Sequence, residues 1–251
     1  MRSIFPLLHG PAYLVPLVTR SDSQYILSTP RGIAGPIDIF QTVVEMYYAV
    51  FEGTQMEGKG ALAEQFYKTL TSILYKFPGF VSETGFGSPH VERREVLISV
   101  WEDEESMNRW RNESTHLSIQ GKASRGIFHD YHIRLGPELD PNSTGRSSSN
   151  DASQMILLYF HDNYEQTPED DIFSLVDSVS TTGLQSEILG SSVYIGQQTL
   201  WISLWKSQEG AMKFANSLSR SPGDDVKLVR VRRDYTKSRR KDAPNEIAGS
   251  C

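Results

Sequence analysis

The sequence repeats itself at a constant spacing of 104 residues, the distance from Trp101 to Trp205, and this repeat limits the possible folds more than any other feature. In the same register Trp110 aligns with Phe214, so that LISVWEDEESMNRW and WISLWKSQEGAMKF both read as a strand followed by a helix. Two further aligned pairs lie upstream: Gly79 with Gly183, and Glu83 with Glu187. The length of 251 residues suits two units of about 100 to 120 residues each.

The first half contains one helix whose apolar stripe is clear from spacing alone. Apolar residues recur at intervals of four, four, three and four from Leu62 to Phe77, and Pro78-Gly79 then stops the helix. The predicted order is a strand over Met46–Phe51, a helix over Gly60–Phe77, strands over Phe80–Phe86 and Val91–Trp101, a helix over Glu104–Asn112, a loop through Thr115–Arg125 and a strand over Phe128–Leu135.

The second half shows the same order after a segment rich in Pro, Gly, Ser and Asn. Thr167 can cap a helix whose first position is Pro168, a favoured arrangement at helix starts. The predicted order is a strand over Met155–Phe160, a helix from Thr167, strands over Gly183–Leu189 and Gln198–Trp205, a helix over Gln208–Leu218 and a strand over Val226–Tyr235.

A βαββαβ order predicts the ferredoxin-like α+β fold, in which helices cover one face of a sheet and leave the other bare. An apolar bare face must be covered. We therefore expect two ferredoxin-like units packed sheet to sheet as an intrachain pseudo-dimeric α/β barrel, with a further homodimer left open. The predicted regions are an irregular N-terminal arm (1–40), the first domain (41–137), a linker (138–153), the second domain (154–236) and a basic tail (237–251).

Composition excludes several function classes. The net charge of −6 argues against a nucleic-acid partner, because phosphate contacts require a basic surface. The single cysteine, Cys251, rules out an intrachain disulfide. Because no apolar run approaches the roughly 20 residues of a membrane span, we expect a cytoplasmic protein without a membrane partner. Nucleotide-binding loops, the HExxH motif and the GxSxG elbow are absent from the sequence.

Several short segments of the first half form a set that resembles a known family. They are Tyr47–Phe51 (YYAVF), the turn Pro78–Phe80, Val100–Trp101 with the following glutamate, Trp110 with His116, and Phe128–Leu135 (FHDYHIRL). The set resembles the antibiotic-biosynthesis monooxygenase family of dimeric α/β barrels. The resemblance implies a small oxygenase, independent of flavin and metal, that acts on an aromatic or polyketide-like intermediate of secondary metabolism; haem binding is left open.

His116 and Trp110 are the first candidate site residues. A histidine just after the second helix is common in the family, and related haem-degrading enzymes use one near there as iron ligand. The alternative for His116 is a capping or surface residue in a loop. Trp110 can form one wall of an aromatic pocket, or it can simply pack in the core, as Phe214 at the matching position suggests.

The last strand of the first half carries the other candidates. Alternation places His132 and Arg134 on one face of the sheet and Tyr131 on the other. His132 is predicted to act as a base, Arg134 to hold a phenolate or developing oxyanion, and Tyr131 to bind substrate. An inter-strand polar ladder is the alternative. The other open functions are a cofactor-independent cyclase or isomerase, a haem-binding protein and a non-catalytic ligand-binding protein.

Overall fold

The computed structural model describes residues 45–87, 92–139, 154–161, 189–191, 199–218 and 220–239. All of these belong to one compact body, Val43–Cys251. Within it the described strands form two antiparallel sheets: one holds the strands of the first half together with the last described strand, and the other holds the remaining strands of the second half. None of the helices in the described ranges is long and apolar enough to cross a membrane.

The first unit comprises the strands and helices before the polar segment. Its elements are β1 (Tyr47–Gln55), α1 (Gly60–Leu74), β2 (Phe80–Gly87), β3 (Arg94–Trp101), α2 (Glu104–Arg111), α3 (Ser114–Gly126) and β4 (Phe128–Pro137). The strand order β2-β3-β1-β4 is that of the ferredoxin-like fold, and it confirms the predicted fold class.

The second unit shows the matching strand order, β6-β7-β5-β8. Its described elements are β5 (Met155–His161), β6 (Leu189–Ser191), β7 (Thr199–Trp205), α4 (Gln208–Ser217) and β8 (Asp225–Arg230), and a last strand β9 (Arg233–Thr236) follows. The predicted helix from Thr167, and most of the strand predicted over Gly183–Leu189, lie outside the described residues.

Equivalent hydrogen bonds occur at equivalent places of the repeat. The indole Nε1 of Trp101 donates to the hydroxyl of Ser99 at 3.0 Å, and Trp205 donates to Ser203 at 2.8 Å. Two residues after each tryptophan, a side chain caps the next helix: Asp103 accepts from the amide of Ser106 at 2.6 Å, and Ser207 accepts from Gly210 at 3.1 Å. The repeated sequence therefore makes the same strand-to-helix junction twice.

The two sheets pack against each other through the faces that carry no helices. We call each of these the inter-sheet face; on β1 it includes Tyr48 and Val50, and on β5 it includes Ile156 and Leu158. One buried apolar cluster joins these side chains across the two sheets, which removes both bare faces from water. The opposite, helix-covered face of the first sheet packs Trp101 against helices of its own unit.

The chain crosses between the units twice, by the same hydrogen-bond pattern. After β4, the first residue still bonds within the first unit and the next bonds to the second sheet; after β8, the first residue still bonds within the second unit and the next bonds to the first sheet. The four bonds run from Glu138 N to Met46 O (2.7 Å), Leu139 N to Leu228 O (2.7 Å), Val231 N to Gln154 O (2.8 Å) and Arg232 N to Leu135 O (2.8 Å). The crossing segments thus tie the two halves together reciprocally.

Two of the predicted secondary-structure assignments are wrong. The single strand predicted over Val226–Tyr235 is two strands on different sheets, because the chain crosses over at Val231 and Arg232 and β9 pairs with β4. The loop predicted through Thr115–Arg125 is helix α3. The carboxylate of Glu113 caps this helix by accepting from the His116 amide at 2.8 Å. The helix was not predicted because its sequence has only a weak apolar periodicity.

Candidate functional site

The structure distributes the five predicted site residues over the two faces of the first sheet. His132 and Arg134 lie on the inter-sheet face, since they pair with Glu52 and Val50 of β1. Trp110 packs on the helix-covered face, and Tyr131 stacks there on Phe51, with ring centroids 6.1 Å apart. The predicted alternation along β4 is confirmed. The structure does not bring all five side chains into one pocket.

Arg134 is the centre of a buried ion-pair network on the inter-sheet face. It is 4% exposed and pairs with the carboxylate of Glu52, which is equally buried. Arg94 donates to the second oxygen of Glu52 at 3.0 Å. Neither Glu52 nor Arg94 was predicted from the sequence. A buried guanidinium needs such partners, because an isolated charge in the core is costly.

His132 links this network to the second half of the chain. Its Nδ1 lies 2.8 Å from Nη2 of Arg134, which can only donate, so Nδ1 is the acceptor. Nε2 therefore carries the proton and donates to the carboxylate of Asp234 on β9. Burial alone would raise the pKa of Asp234, but the hydrogen bond from His132 and the charge of Arg134 hold it below its ordinary value. Both ring nitrogens of His132 are thus engaged in this arrangement.

His116 lies against Trp110 on the helix-covered side. The two rings stack with centroids 4.5 Å apart and planes inclined by 17°. Nδ1 of His116 lies 2.9 Å from the backbone oxygen of Trp110, so Nδ1 carries the proton and Nε2 carries the lone pair. The side-chain amide of Gln120 lies 3.2 Å from Nε2. This arrangement fixes one neutral tautomer of a half-buried histidine.

Trp110 also belongs to the hydrophobic core. It is 7% exposed, and its ring contacts Phe77 edge-on at 5.2 Å and Trp101 at 6.2 Å between centroids. These contacts are those expected of a core residue, the alternative that the sequence left open for Trp110.

Glu83 is a residue of the helix-covered side that the site prediction missed. It lies on β2 opposite Ser99 and bonds to the hydroxyl of Tyr67 on α1. Burial raises the pKa of Glu83 to about 7, although the Tyr67 bond lowers it in part. Its Oε1 has no hydrogen-bond partner among the described residues. The signal in the sequence was the alignment of Glu83 with Glu187 at the spacing of 104 residues.

A second carboxyl on the same face behaves similarly. Glu95 of β3 accepts from the side-chain amide of Gln55 at 2.7 Å. Burial raises the pKa of Glu95 to about 6, and the Gln55 bond opposes this. Carboxyl groups with pKa values shifted toward neutrality are frequent in sites that transfer protons.

An open cleft of about 410 Å³ lies between α1 and α3. Pockets for small molecules are commonly of this size. Helix α1 is only partly buried: Leu74 alone of its residues is fully covered, and Leu62 of the apolar stripe remains 38% exposed. The cleft is lined by Gln65, Phe66 and Thr69 of α1 and by Thr115, Ile119 and Lys122 of α3.

The haem hypothesis rests on His116 alone. The described residues contain no group of three or more side chains that could hold a metal ion. Nε2 of His116 is the nitrogen that could bind iron, and the amide of Gln120 now lies against it. Haem binding therefore stays a prediction.

Comparison with known proteins gives a family match within the first unit. Residues 46–122 match the family model described as antibiotic biosynthesis monooxygenase. A jasmonate monooxygenase from Pyricularia oryzae is 24% identical over 189 residues, which cover 70% of this chain and 86% of that relative.

Two solved structures show weaker likeness. SnoaB, a cofactor-independent oxygenase from Streptomyces nogalater, is 22% identical and covers 36% of this chain and 90% of its own, with a TM-score of 0.32. PA3566 from Pseudomonas aeruginosa is 14% identical and covers 38% of this chain and 96% of its own, with a TM-score of 0.35.

Proposed function

We propose that this protein is a small oxygenase, independent of flavin and metal, whose reaction takes place on the helix-covered side of the first unit. The family match lies in that unit. A relative that is named as a monooxygenase aligns with this chain over 86% of the relative's length. The inter-sheet face is an unsuitable alternative, because a buried ion-pair network and apolar packing fill it.

The observation that carries the proposal is the geometry of His116. Its Nδ1 donates to the backbone oxygen of Trp110, so Nε2 is the acceptor nitrogen of the ring, and the side-chain amide of Gln120 lies 3.2 Å from it. Thr115, the preceding residue, lines the cleft between α1 and α3. A histidine oriented in this way is a suitable general base near neutral pH, once the Gln120 amide rotates aside.

The chemistry follows from the acidity of the substrate. His116 takes a proton from a phenol or from a methylene group activated by neighbouring rings, and the resulting anion is electron-rich enough to reduce dioxygen. One oxygen atom then enters the product as a carbonyl and the other leaves as water, so that a CH₂ group and O₂ give C=O and H₂O. Lys122 lines the cleft and its charge favours an anionic substrate.

The substrate class is the finer part of the proposal. The family resemblance favours an aromatic or polyketide-like compound, and the partly exposed aromatic side chain of Phe66 in the cleft suits a flat ring. Because the Pyricularia relative is named for jasmonate, a cyclopentanone acid is the competing substrate.

Oxygen consumption by purified, metal-free protein tests the function. Anthrone, a hydroxynaphthalene and jasmonic acid are offered separately, without added flavin. We expect uptake with an aromatic substrate and its loss by about 10²- to 10⁴-fold in His116→Ala. His129→Ala, a change at an exposed histidine of the same unit, should leave the rate unchanged.

Other outcomes would revise the proposal. Uptake with jasmonic acid alone would replace the substrate class but keep the reaction. Product formation under nitrogen would indicate a cyclase or isomerase. A Soret band on haem titration that disappears in His116→Ala would indicate haem binding. Activity lost in His132→Ala or Arg134→Met but kept in His116→Ala would move the site to the inter-sheet face.

A further inference from the structure

The second unit contains a buried histidine on its helix-covered face that no sequence motif indicates. His161, at the end of β5, lies beside Tyr159 on the same strand and Asp224 just before β8. Nδ1 of His161 is 2.8 Å from Oδ1 of Asp224, and the Tyr159 hydroxyl donates to Oδ2 at 2.7 Å. The three side chains form one hydrogen-bonded cluster.

The hydrogen bonds determine which nitrogen of His161 is basic. Asp224 also accepts from the backbone amide of Ser221 at 2.7 Å, so its carboxylate acts as an acceptor throughout. His161 must therefore donate from Nδ1, and in the neutral ring the lone pair is on Nε2. The side chain of His161 is only 6% exposed, and Nε2 has no hydrogen-bond partner among the described residues.

A buried, unpaired nitrogen of this kind is costly in a purely structural cluster. Leaving a polar atom buried without a hydrogen bond costs about 1 to 3 kcal/mol. The same arrangement, a histidine oriented by a carboxylate with its other nitrogen free, is what proton transfer to a ligand requires. The geometry is therefore better explained by a ligand that supplies a hydrogen-bond donor to Nε2.

The surroundings indicate the kind of ligand. Tyr159 pairs with Trp201 across β5 and β7, and both side chains belong to a buried apolar cluster. Burial raises the pKa of Tyr159, and its bond to Asp224 raises it further, so the phenol stays neutral. The charge of Arg220 acts on this group in the opposite direction. A basic nitrogen beside two aromatic side chains suits a flat molecule with an acidic hydroxyl.

The cluster is peculiar to the second unit. Strand pairing makes Tyr159, His161 and Asp224 equivalent to Phe51, Gly53 and Tyr131 of the first unit. The first unit thus has aromatic rings and a glycine where the second has a proton acceptor and its carboxylate.

We propose that Tyr159, His161 and Asp224 form a second, independent site that binds a planar phenol or enol through its hydroxyl group. The ligand O–H donates to Nε2 of His161, and full transfer of the proton would give an imidazolium whose charge Asp224 balances. Because neither an oxidant nor the first unit takes part, the site stands whether or not the proposed oxygenase reaction is correct.

Nitrogen-15 NMR of histidine side chains tests the site in the full-length protein under nitrogen. His161→Gln identifies the signal of His161 among the six histidines. We expect the Nδ1–H tautomer without ligand and a saturable shift of Nε2 on titration with 4-nitrophenol, whose absorbance also reports phenolate formation. His116→Ala should leave this shift in place, which separates the result from the fate of the first-unit site.

Variants make the test decisive. His161→Gln and Asp224→Asn should each weaken 4-nitrophenol binding roughly tenfold or more, because each removes a hydrogen bond to a charged group. Tyr159→Phe, which keeps the ring, should weaken it several-fold, and His129→Gln should have no effect. An Nε2–H tautomer, or 4-nitrophenol affinity unchanged in both His161→Gln and Asp224→Asn, would overturn the proposal; Zn²⁺ perturbing Nε2 while the phenol does not would also overturn it.

Discussion

The two units have the same frame but bury different polar groups. On the inter-sheet face, the first unit buries the ion pair of Glu52 and Arg134. Strand pairing places Phe160 and Lys227 at the equivalent positions of the second unit. Lys227 pairs with Glu138 at 3.2 Å, but both side chains remain about a quarter exposed, at 28% and 25%. The equivalent strand positions thus hold a buried ion pair in the first unit and a lysine with a partly exposed ion pair in the second.

On the helix-covered faces, the second unit is the one with the more extensive cluster of buried polar side chains. The second unit has the Tyr159–His161–Asp224 cluster there, whereas the first unit has packed aromatic rings around Gly53. The first unit instead has His116 on α3. A repeated fold therefore does not imply a repeated site, since the chemistry resides in side chains that the frame does not fix.

The largest expected effect separates the two ion pairs. Arg134→Met leaves Glu52 buried with one of its two arginines, and we expect a loss of about 3 to 5 kcal/mol in the free energy of unfolding. Lys227→Met, the matched change in the second unit, should cost about 1 kcal/mol or less. Urea unfolding of both variants measures the difference. Equal losses would show that exposure does not distinguish the two pairs.

The next effect concerns the crossing itself. A β-carbon at Gly136 would overlap the backbone oxygen of Arg230, where the chain leaves the second sheet, whereas the equivalent position in the second unit holds Val229. Gly136→Ala should therefore cost about 1 to 3 kcal/mol in the free energy of unfolding. Gly126→Ala, at a glycine with open space around it, should be neutral or slightly stabilising. A tolerated alanine at Gly136 would show that the crossing strands can move apart.

A smaller effect depends on pH. The folded-state pKa of Glu83, about 7, lies above the ordinary value of 4.5, so the folded protein binds the proton more tightly than the unfolded chain. The stability that Glu83 contributes is complete below pH 4.5 and is lost as the pH rises through 7. Glu83→Gln should thus gain about 1 to 2 kcal/mol relative to the parent over this range, measured by urea unfolding.

A control variant sharpens this prediction. Glu105→Gln changes a side chain that is 81% exposed, so the stability gain measured for Glu83→Gln is compared with the gain from the same substitution at the surface. A flat stability difference for Glu83→Gln would mean that its carboxyl titrates normally.

The sequence predicted the frame well because apolar periodicity and the repeated strand-to-helix phrase report directly on burial. It failed at the crossing, because Val226–Tyr235 alternates like one strand although Val231 and Arg232 bond to different sheets. Local pattern has no information about which sheet a strand joins.

The site residues divide for a similar reason. Alternation correctly separated His132 from Tyr131, but it could not show that Asp234, more than a hundred residues away along the chain, would engage His132. His161 was missed because a lone histidine at a strand end has no local signal. Its partner Asp224 becomes visible only through the pairing of β5 with β8.

The smallest predicted effect tests where the two units should be the same. Trp101 and Trp205 are fully buried, and each indole donates to a serine two residues earlier. Ser99→Ala and Ser203→Ala each leave a buried N–H without its acceptor, so each should cost about 1 kcal/mol in urea unfolding. The two losses should agree within about 0.5 kcal/mol, because the junctions are geometrically equivalent. A clearly larger loss at one serine would show that the asymmetry of the buried polar groups extends into the repeated junction itself.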